Sequence, residues 1–171
     1  RFLPRMAASD DMWAQGWSEP NAGSDMAAIT SKARLSDDGR HYILNGQKTW
    51  STRAIFADWL FGLFRSEPGS SRHHGLSYLL VPLDAPGVTI RPILALNGKQ
   101  AFAEIFFDDV KVPVDNRIGD AGQGWHVAMA TAGFERGLLL RSPARYQAAA
   151  QRLIALWHDR RDSLPASVGE R

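Results

Sequence analysis

The sequence contains no cysteine, no long hydrophobic run and no block of like charge, and each absence excludes a class of protein. Without cysteine, neither a disulfide framework nor a thiolate metal site can form, and the composition suits a reducing compartment, for which we predict the cytoplasm. No apolar run approaches the roughly 20 residues that a membrane-spanning helix needs. No basic run is longer than the pair Arg160 and Arg161, so the sequence does not predict binding to nucleic acid.

The rest of the composition is that of a globular protein. The 171 residues are 44% hydrophobic and 22% charged, which is enough apolar material to bury a core. The length predicts one domain, or one domain with an appendage. The chain starts at Arg1 without a signal-peptide pattern. We expect an internal piece of a longer protein, with a complete domain that has ragged ends as the alternative.

Two patterns divide the chain near Gly122. Residues 12–113 alternate short β-like runs with glycine and proline turn signals, and no helical pattern lies between them. This predicts an antiparallel β-barrel or sandwich. Residues 123–140 and 144–157 then carry apolar side chains at helical spacing, which predicts two helices. The predicted fold class is mainly β, followed by a C-terminal α-helical pair.

Local signals refine this prediction at three places. Residues 41–44 run into Asn45 and Gly46, a pair typical of a two-residue hairpin turn. Asp108 and Asp109 are interpreted as part of a turn at the end of a strand. Pro143, after a capping Ser142, suits the first position of the second helix.

The first candidate site is residues 15–25, which read QGWSEPNAGSD. They place the Ser18 hydroxyl and the Glu19 carboxylate next to a proline and a loop of small residues. Small residues let backbone N–H groups approach a ligand closely. On composition alone, a strand that ends in a capped turn is the simpler interpretation.

The second candidate site is residues 45–52, which read NGQKTWST. Trp50 beside the hydroxyls of Ser51 and Thr52 would form a good wall for a planar conjugated ring, because it offers stacking area together with hydrogen-bond donors. A hairpin whose tryptophan fills the core is the alternative.

Four motifs occur in the order SEP-x-AGSD, NGQK-x-W-x-T, FFDDVKVP and GxGW, the last before a helix that bears Glu-Arg. This order resembles the acyl-CoA dehydrogenase family of flavoproteins over residues 12–157. The resemblance implies three segments. Residues 1–11 would be a linker from a missing N-terminal helical domain, 12–121 the middle β-barrel domain, and 122–171 the first helices of a truncated C-terminal domain.

The resemblance also implies roles for individual residues. It assigns FAD contacts to Gln15, Trp17, Ser18, Gly23, Trp50, Ser51 and Thr52. Among these, Ser18 would bond the pyrimidine side of the flavin, Trp50 would pack against the ring, and Thr52 would donate to its N5 edge. It assigns contacts with the acyl-CoA substrate to Ser24, Trp125, Gly133 and Arg136.

The general base is the least determined position. In a minority of the family the base is the glutamate directly before the arginine of the helix, which is Glu135 here. An apolar setting would raise its pKa towards working pH. In most members the base lies on a later segment that this chain lacks, and Glu135 with Arg136 would then be a structural pair.

The implied reaction is α,β-dehydrogenation of an acyl-CoA thioester to a trans-2-enoyl-CoA, as in fatty-acid β-oxidation, with the β-hydride passing to flavin N5. Implied partners are electron-transfer flavoprotein or a similar acceptor, and further copies of the chain in a dimer or tetramer. A flavin oxidase or monooxygenase on the same fold is an alternative, as is an inactive stand-alone β module. We predict no metal site, because the adjacent His73 and His74 are typical of a solvated loop.

Overall fold

The computed structural model describes residues 1–135 and 143–163. Its helices are α1 (Leu3–Ala8), α2 (Gly124–Glu135) and α3 (Pro143–Arg160). Its strands are β1 (Trp13–Gly16), β2 (Lys32–Leu35), β3 (His41–Thr52), β4 (Trp59–Arg65), β5 (Leu76–Pro82), β6 (Val88–Leu94), β7 (Gln100–Pro113) and β8 (Arg117–Ile118). The chain divides into two compact units, residues 1–130 and 131–171.

The strands form one eight-stranded sheet, in which seven strands follow the order β6-β7-β3-β2-β4-β5-β8 and β1 pairs with β4 off this path. Most neighbours are antiparallel, as predicted for a β-barrel or sandwich, and the predicted mainly β class followed by helices is confirmed. Two parallel contacts were not predicted. β1 pairs with β4 over four residues, and β2 joins the same edge of β4 through Lys32 and Arg65. Both parallel partners therefore meet β4 on one side, where the first candidate segment begins.

The sheet curls around a single core. The ring of Phe64 on β4 contacts that of Phe107 on β7 edge-on, with centroids 5.3 Å apart, although the two strands are not neighbours in the sheet. β5 reads LSYLLVP and has only its last residue outside the buried class, so it is a continuous apolar run covered on both faces. Such curling brings β3 and β4 close enough for their side chains to meet inside.

The predicted hairpin at Asn45 and Gly46 is wrong. β3 continues through both residues to Thr52, and the β2–β3 turn lies earlier, where the N–H of Gly39 donates to the carbonyl of Ser36 at 2.9 Å. The reason is tertiary: β3 pairs with β7 on both sides of Gly46, and a bulge absorbs the change in register there.

The helical half follows the predicted pattern where it is described. α3 begins at Pro143, at the position where a missing N–H costs nothing. The first predicted helix is present as α2, and its expected continuation through 136–140 lies outside the described residues. Residues 3–8 form the short helix α1 within the segment interpreted as a linker. Of the described helices, none is long and apolar enough to cross a membrane.

Candidate functional site

A pocket of about 160 Å³ lies where β1 and the loop after it meet the end of β3. It is lined by Gln15, Trp17, Ser18, Thr49, Trp50 and Thr52. Five of these six are residues for which the sequence predicts flavin contacts, and they come from two segments about 30 positions apart. Thr49 is the sixth, and the sequence analysis missed it although it lies inside the quoted motif.

A β-bulge shapes the β3 side of this pocket. Lys48 pairs with Ile105 and Ser51 pairs with Ala103, so β3 uses one residue more than β7 over this interval. Within the bulge Trp50 has φ 57°, a left-handed conformation that is unusual for a bulky side chain. Its ring is 60% exposed and meets Phe102 edge-on at 5.9 Å. The bulge therefore leaves a large aromatic ring exposed at the edge of the pocket. A strained backbone conformation such as that of Trp50 is typical of functional sites.

Backbone hydrogen bonds fix the opposite side of the pocket. The N–H of Thr49 donates to the carbonyl of Ser18 at 2.9 Å, which ties the loop to β3. Glu19 and Ala22 exchange two backbone bonds of 3.0 Å, so residues 19–22, which read EPNA, close into a tight turn. The turn found here agrees with the simpler interpretation of this segment, and Ser18 nevertheless lines the pocket.

Below the pocket, Lys48 and Glu19 form a buried ion pair that the sequence analysis missed. The Lys48 side chain is completely buried and that of Glu19 is 4% exposed, and Nζ donates to Oε1 at 2.8 Å. Nζ also donates to the carbonyls of Leu63 at 2.6 Å and Trp17 at 3.4 Å. The ammonium group thus joins β3, β4 and the loop after β1.

The carboxylate of Glu19 is equally well bonded. It accepts the N–H of Thr30 at 2.7 Å and the N–H of Ser31 at 3.0 Å. Burial raises the pKa of Glu19, but the charge of Lys48 and these hydrogen bonds outweigh it, so the pKa lies below its usual value. Burial lowers the pKa of Lys48 to about 8 against the opposing attraction of Glu19. Both groups are therefore charged at neutral pH.

Two predicted flavin residues do not line the pocket. Ser51 is 2% exposed, and its hydroxyl has no hydrogen-bond partner among the described residues. Gly23 is exposed, and a Cβ there would meet nothing within 4 Å. The pocket is therefore formed by residues on either side of Ser51 along the strand, and Gly23 lies in open space.

Two of the predicted substrate positions are linked by the loop between β4 and β5. Ser24 is exposed, and the next residue, Asp25, accepts a hydrogen bond from Arg72 at 2.8 Å. His73 in the same loop lies against Trp125, with ring centroids 4.3 Å apart. The loop thus connects the surroundings of Ser24 with the start of α2, and His73 is more than a solvated loop residue.

One arginine organises that loop. The guanidinium of Arg65 donates to the backbone carbonyls of four residues and to one hydroxyl, over distances of 2.9 to 3.3 Å. The acceptors are Ile29, His74, Ala27, Arg72 and the hydroxyl of Ser70. A planar guanidinium with five donors suits this task, whereas a lysine could not reach as many acceptors.

The remaining predicted positions, Gly133, Glu135 and Arg136, lie in the second unit. Gly133 is exposed on α2. Glu135 is the last described residue of α2, and its side chain lies outside the description. Arg136 lies outside the described residues altogether. The assignment of Glu135 as general base therefore stays a prediction.

The chemistry of the pocket fits one part of a flavin. Hydroxyls of Ser18, Thr49 and Thr52 are suited to the polar edge of a conjugated ring, and Trp50 supplies an exposed aromatic surface. The volume of about 160 Å³ is well below the roughly 300–1,000 Å³ of a typical ligand site. The pocket therefore suits an edge of the ring system and not a whole dinucleotide.

Comparison with known proteins decides the family. The profile of the family described as "Acyl-CoA dehydrogenase, middle domain" matches residues 14–110, more than half of the chain. The chain belongs to the acyl-CoA dehydrogenase family. This confirms the resemblance inferred from the four motifs, and the matched range contains every residue of the pocket.

Relatives and solved structures extend this result. The chain is 53% identical over 138 residues to "Acyl-CoA dehydrogenase IpdE1" of Mycobacterium tuberculosis (strain ATCC 25618 / H37Rv), covering 81% of this chain and 35% of that protein. It superposes on the structure titled "Tcur3481-Tcur3483 steroid ACAD G363A variant" with TM-score 0.77 and 30% identity, covering 99% of this chain and 42% of that one.

A second similar structure was determined with the cofactor. It is an acyl-CoA dehydrogenase complexed with FAD from Bacillus anthracis, at TM-score 0.67 and 30% identity, covering 75% of this chain and 22% of that chain. The chain thus spans less than half of the length of each of these three proteins.

Proposed function

We propose that this chain is the flavin-facing middle portion of an FAD-dependent acyl-CoA dehydrogenase subunit that converts an acyl-CoA thioester to a trans-2-enoyl-CoA. The observation that carries the proposal is the pocket between β1 and β3. It unites Gln15, Trp17 and Ser18 with Trp50 and Thr52, the residues to which the family resemblance assigns flavin contacts.

In this proposal the pocket residues bind and orient the cofactor. FAD, when bound, supplies the acceptor for the hydride that leaves the substrate β-carbon. Ser18 and Thr52 present hydroxyls to its polar edge, and Trp50 covers part of the ring. A donor at a position where negative charge develops favours that charge, because the bond is already in place before the reaction.

The substrate would run along the surface that the β4–β5 loop organises. Arg72 in this loop bonds Asp25, which follows Ser24, and His73 contacts Trp125. One similar structure is that of a steroid ACAD, so a steroid-derived acyl-CoA belongs in the substrate panel beside straight and branched acyl chains.

The direct test is to purify the intact subunit and measure FAD content and flavin bleaching on addition of each acyl-CoA under anaerobic conditions. Bleaching by at least one acyl-CoA is the expected result, and a flavin-free protein or a flavin that no acyl-CoA reduces would contradict the proposal. In air, stoichiometric peroxide would indicate the oxidase alternative.

The base is tested by Glu135→Gln in the same subunit. Glutamine keeps the shape and hydrogen bonding but accepts no proton, so flavin reduction should slow by about 10²–10⁴ while acyl-CoA still binds. Reduction within a few-fold of wild type would place the base on another segment.

Cofactor retention should depend on more than these 171 residues. The pocket suits only one edge of the flavin, and α3 has no buried residue and exposes Leu153, Ile154 and Trp157, which supports a covering element. We expect the chain alone to hold FAD poorly and to have no turnover, and the subunit to form a dimer or tetramer in the cytoplasm that reduces an electron-transfer flavoprotein. Stoichiometric FAD in a monomer of this chain would contradict this expectation.

A further inference from the structure

Lys48 and the next residue, Thr49, together bond each of the three residues Trp17, Ser18 and Glu19. Lys48 donates to the carbonyl of Trp17 at 3.4 Å and to the carboxylate of Glu19 at 2.8 Å. Between them, the carbonyl of Ser18 accepts the N–H of Thr49 at 2.9 Å. Three consecutive residues of the loop are therefore bonded to two consecutive residues of β3.

A second set of contacts fixes Lys48 from the other side. Its ammonium donates to the carbonyl of Leu63 at 2.6 Å and lies 4.8 Å from the centre of the Phe64 ring. β4 thus supplies a rigid support, while Glu19 is held by Thr30 and Ser31. The ammonium cannot move without breaking contacts to both β4 and the loop after β1.

The bulge that presents Trp50 begins directly after Lys48. Lys48 itself faces the interior, and the next residues, Thr49 and Trp50, line the pocket. The same residue that bonds the loop is therefore also the last residue of β3 that pairs with β7 before the bulge, and pairing resumes at Ser51.

We propose that Lys48 and Glu19 are positioning residues, which set the distance between the Ser18 hydroxyl on the loop and the pocket side chains of the β3 bulge. They touch neither cofactor nor substrate and act through Ser18 and Thr49. The inference rests on the proposed function, because it assumes that this pocket holds the edge of the flavin.

The experiment separates positioning from stability. A buried charge without its partner destabilises a fold, whereas replacing both charges is often neutral. In the intact subunit, Lys48→Met leaves Glu19 buried and unpaired and should lower the unfolding midpoint. The double variant Lys48→Met/Glu19→Gln should regain most of that loss, because the glutamine oxygen still accepts from Thr30 and Ser31.

The double variant should not regain wild-type binding of FAD in the pocket. Its loop has lost the bonds from Lys48, so we expect FAD affinity about tenfold weaker, roughly the value of one buried hydrogen bond, with an altered visible circular dichroism of the bound flavin. A matched control neutralises the exposed pair of Arg34 and Asp37 as Arg34→Gln/Asp37→Asn, and should leave both readouts unchanged.

Wild-type affinity and spectrum in a double variant of recovered stability would overturn the inference. If the double variant does not fold, Glu19→Gln alone decides. Its one amide oxygen cannot accept from both Thr30 and Lys48, so the loop loses an anchoring bond and FAD affinity should weaken by about tenfold. Affinity within about twofold of wild type would overturn the inference. A wild-type subunit without FAD would refute the proposed function itself, which is a separate outcome.

Discussion

β3 and β7 pair through two bulges, and the two differ in how their polar groups are satisfied. At the first, the extra residue lies on β7, where Asp109 has φ 48°. Asn45 closes it with two side-chain bonds: its amide donates to the Asp109 carboxylate at 2.8 Å, and its oxygen accepts the Asp109 N–H at 3.1 Å. A side chain of β3 thus satisfies the polar groups of the bulged residue on β7.

The second bulge is open. Trp50 is exposed in a strained conformation, and the neighbouring Ser51 hydroxyl has no partner among the described residues. The polar groups of Thr49 and Thr52 line a pocket. A closed bulge contributes to stability, whereas an open one retains strain and unsatisfied groups that a ligand can use. Variants of the two bulges should therefore change different measurements.

The largest effect is expected at the closed bulge, for Gly46→Ala. Gly46 has φ 141°, and an added Cβ would meet Ser31 at its hydroxyl, at Cβ (2.7 Å) and at backbone Cα (2.8 Å). Clash and backbone strain together should lower the free energy of unfolding by about 3 kcal/mol, measured by chemical denaturation. Gly98→Ala is the control, because Gly98 has φ 73° but open space around it, and should cost only about 1 kcal/mol. Equal losses of unfolding free energy in the two variants would show that the close approach of Gly46 to Ser31 has no effect on stability.

At the open bulge, Thr52→Val should weaken FAD binding and leave the stability of the fold unchanged. Valine keeps the shape but removes the donor, so FAD binding to the intact subunit should weaken by about 2 kcal/mol, measured by fluorescence titration. The unfolding free energy of the flavin-free protein should stay within about 0.5 kcal/mol of wild type. Unchanged FAD affinity and reduction rate would exclude Thr52 from the site.

Asn45→Ala should show the opposite behaviour. It removes both bonds to Asp109, which are exposed, so we expect a loss of about 1 kcal/mol in unfolding free energy. FAD affinity should not change, since the closed bulge does not line the pocket. Weaker FAD binding together with an unchanged unfolding free energy would contradict the distinction drawn between the two bulges.

The smallest change is expected for Trp50→Asn, and it has the opposite sign. Asparagine tolerates the left-handed region better than tryptophan, and the ring is already mostly exposed. The flavin-free protein should become more stable by about 0.5 kcal/mol in denaturation, while FAD binding weakens. A destabilised variant would show that the contact with Phe102 outweighs the strain.

The sequence predicted what depends on local pattern. Short alternating runs predicted the antiparallel strands, and Pro143 predicted the start of α3. Five of the six pocket-lining residues were predicted as site residues because their motifs occur in a recognisable order. Asn45 and Gly46 misled the prediction because tertiary pairing with β7 overrides turn propensity.

Other features depend on long-range contacts that no local pattern encodes. Glu19 and Lys48 both stand inside the quoted motifs, yet nothing in their neighbourhood indicates that residues 29 positions apart share one buried bond. The available signal for this ion pair was a lone lysine between strand-like residues. A lysine buried in a strand needs a partner of opposite charge, and that partner must come from elsewhere in the chain. Likewise Asp108 and Asp109 lie in a bulge within β7 and not at a strand end, since β7 continues to Pro113.

Arg65 has a consequence for how the molecule opens. Its guanidinium bonds the carbonyls of Ala27 and Ile29 on one loop and those of Arg72 and His74 on the other. Neither loop can separate from the sheet while that side chain stays in place. The two loops should therefore exchange their amide hydrogens as one cooperative unit, with a shared opening free energy set by a single residue.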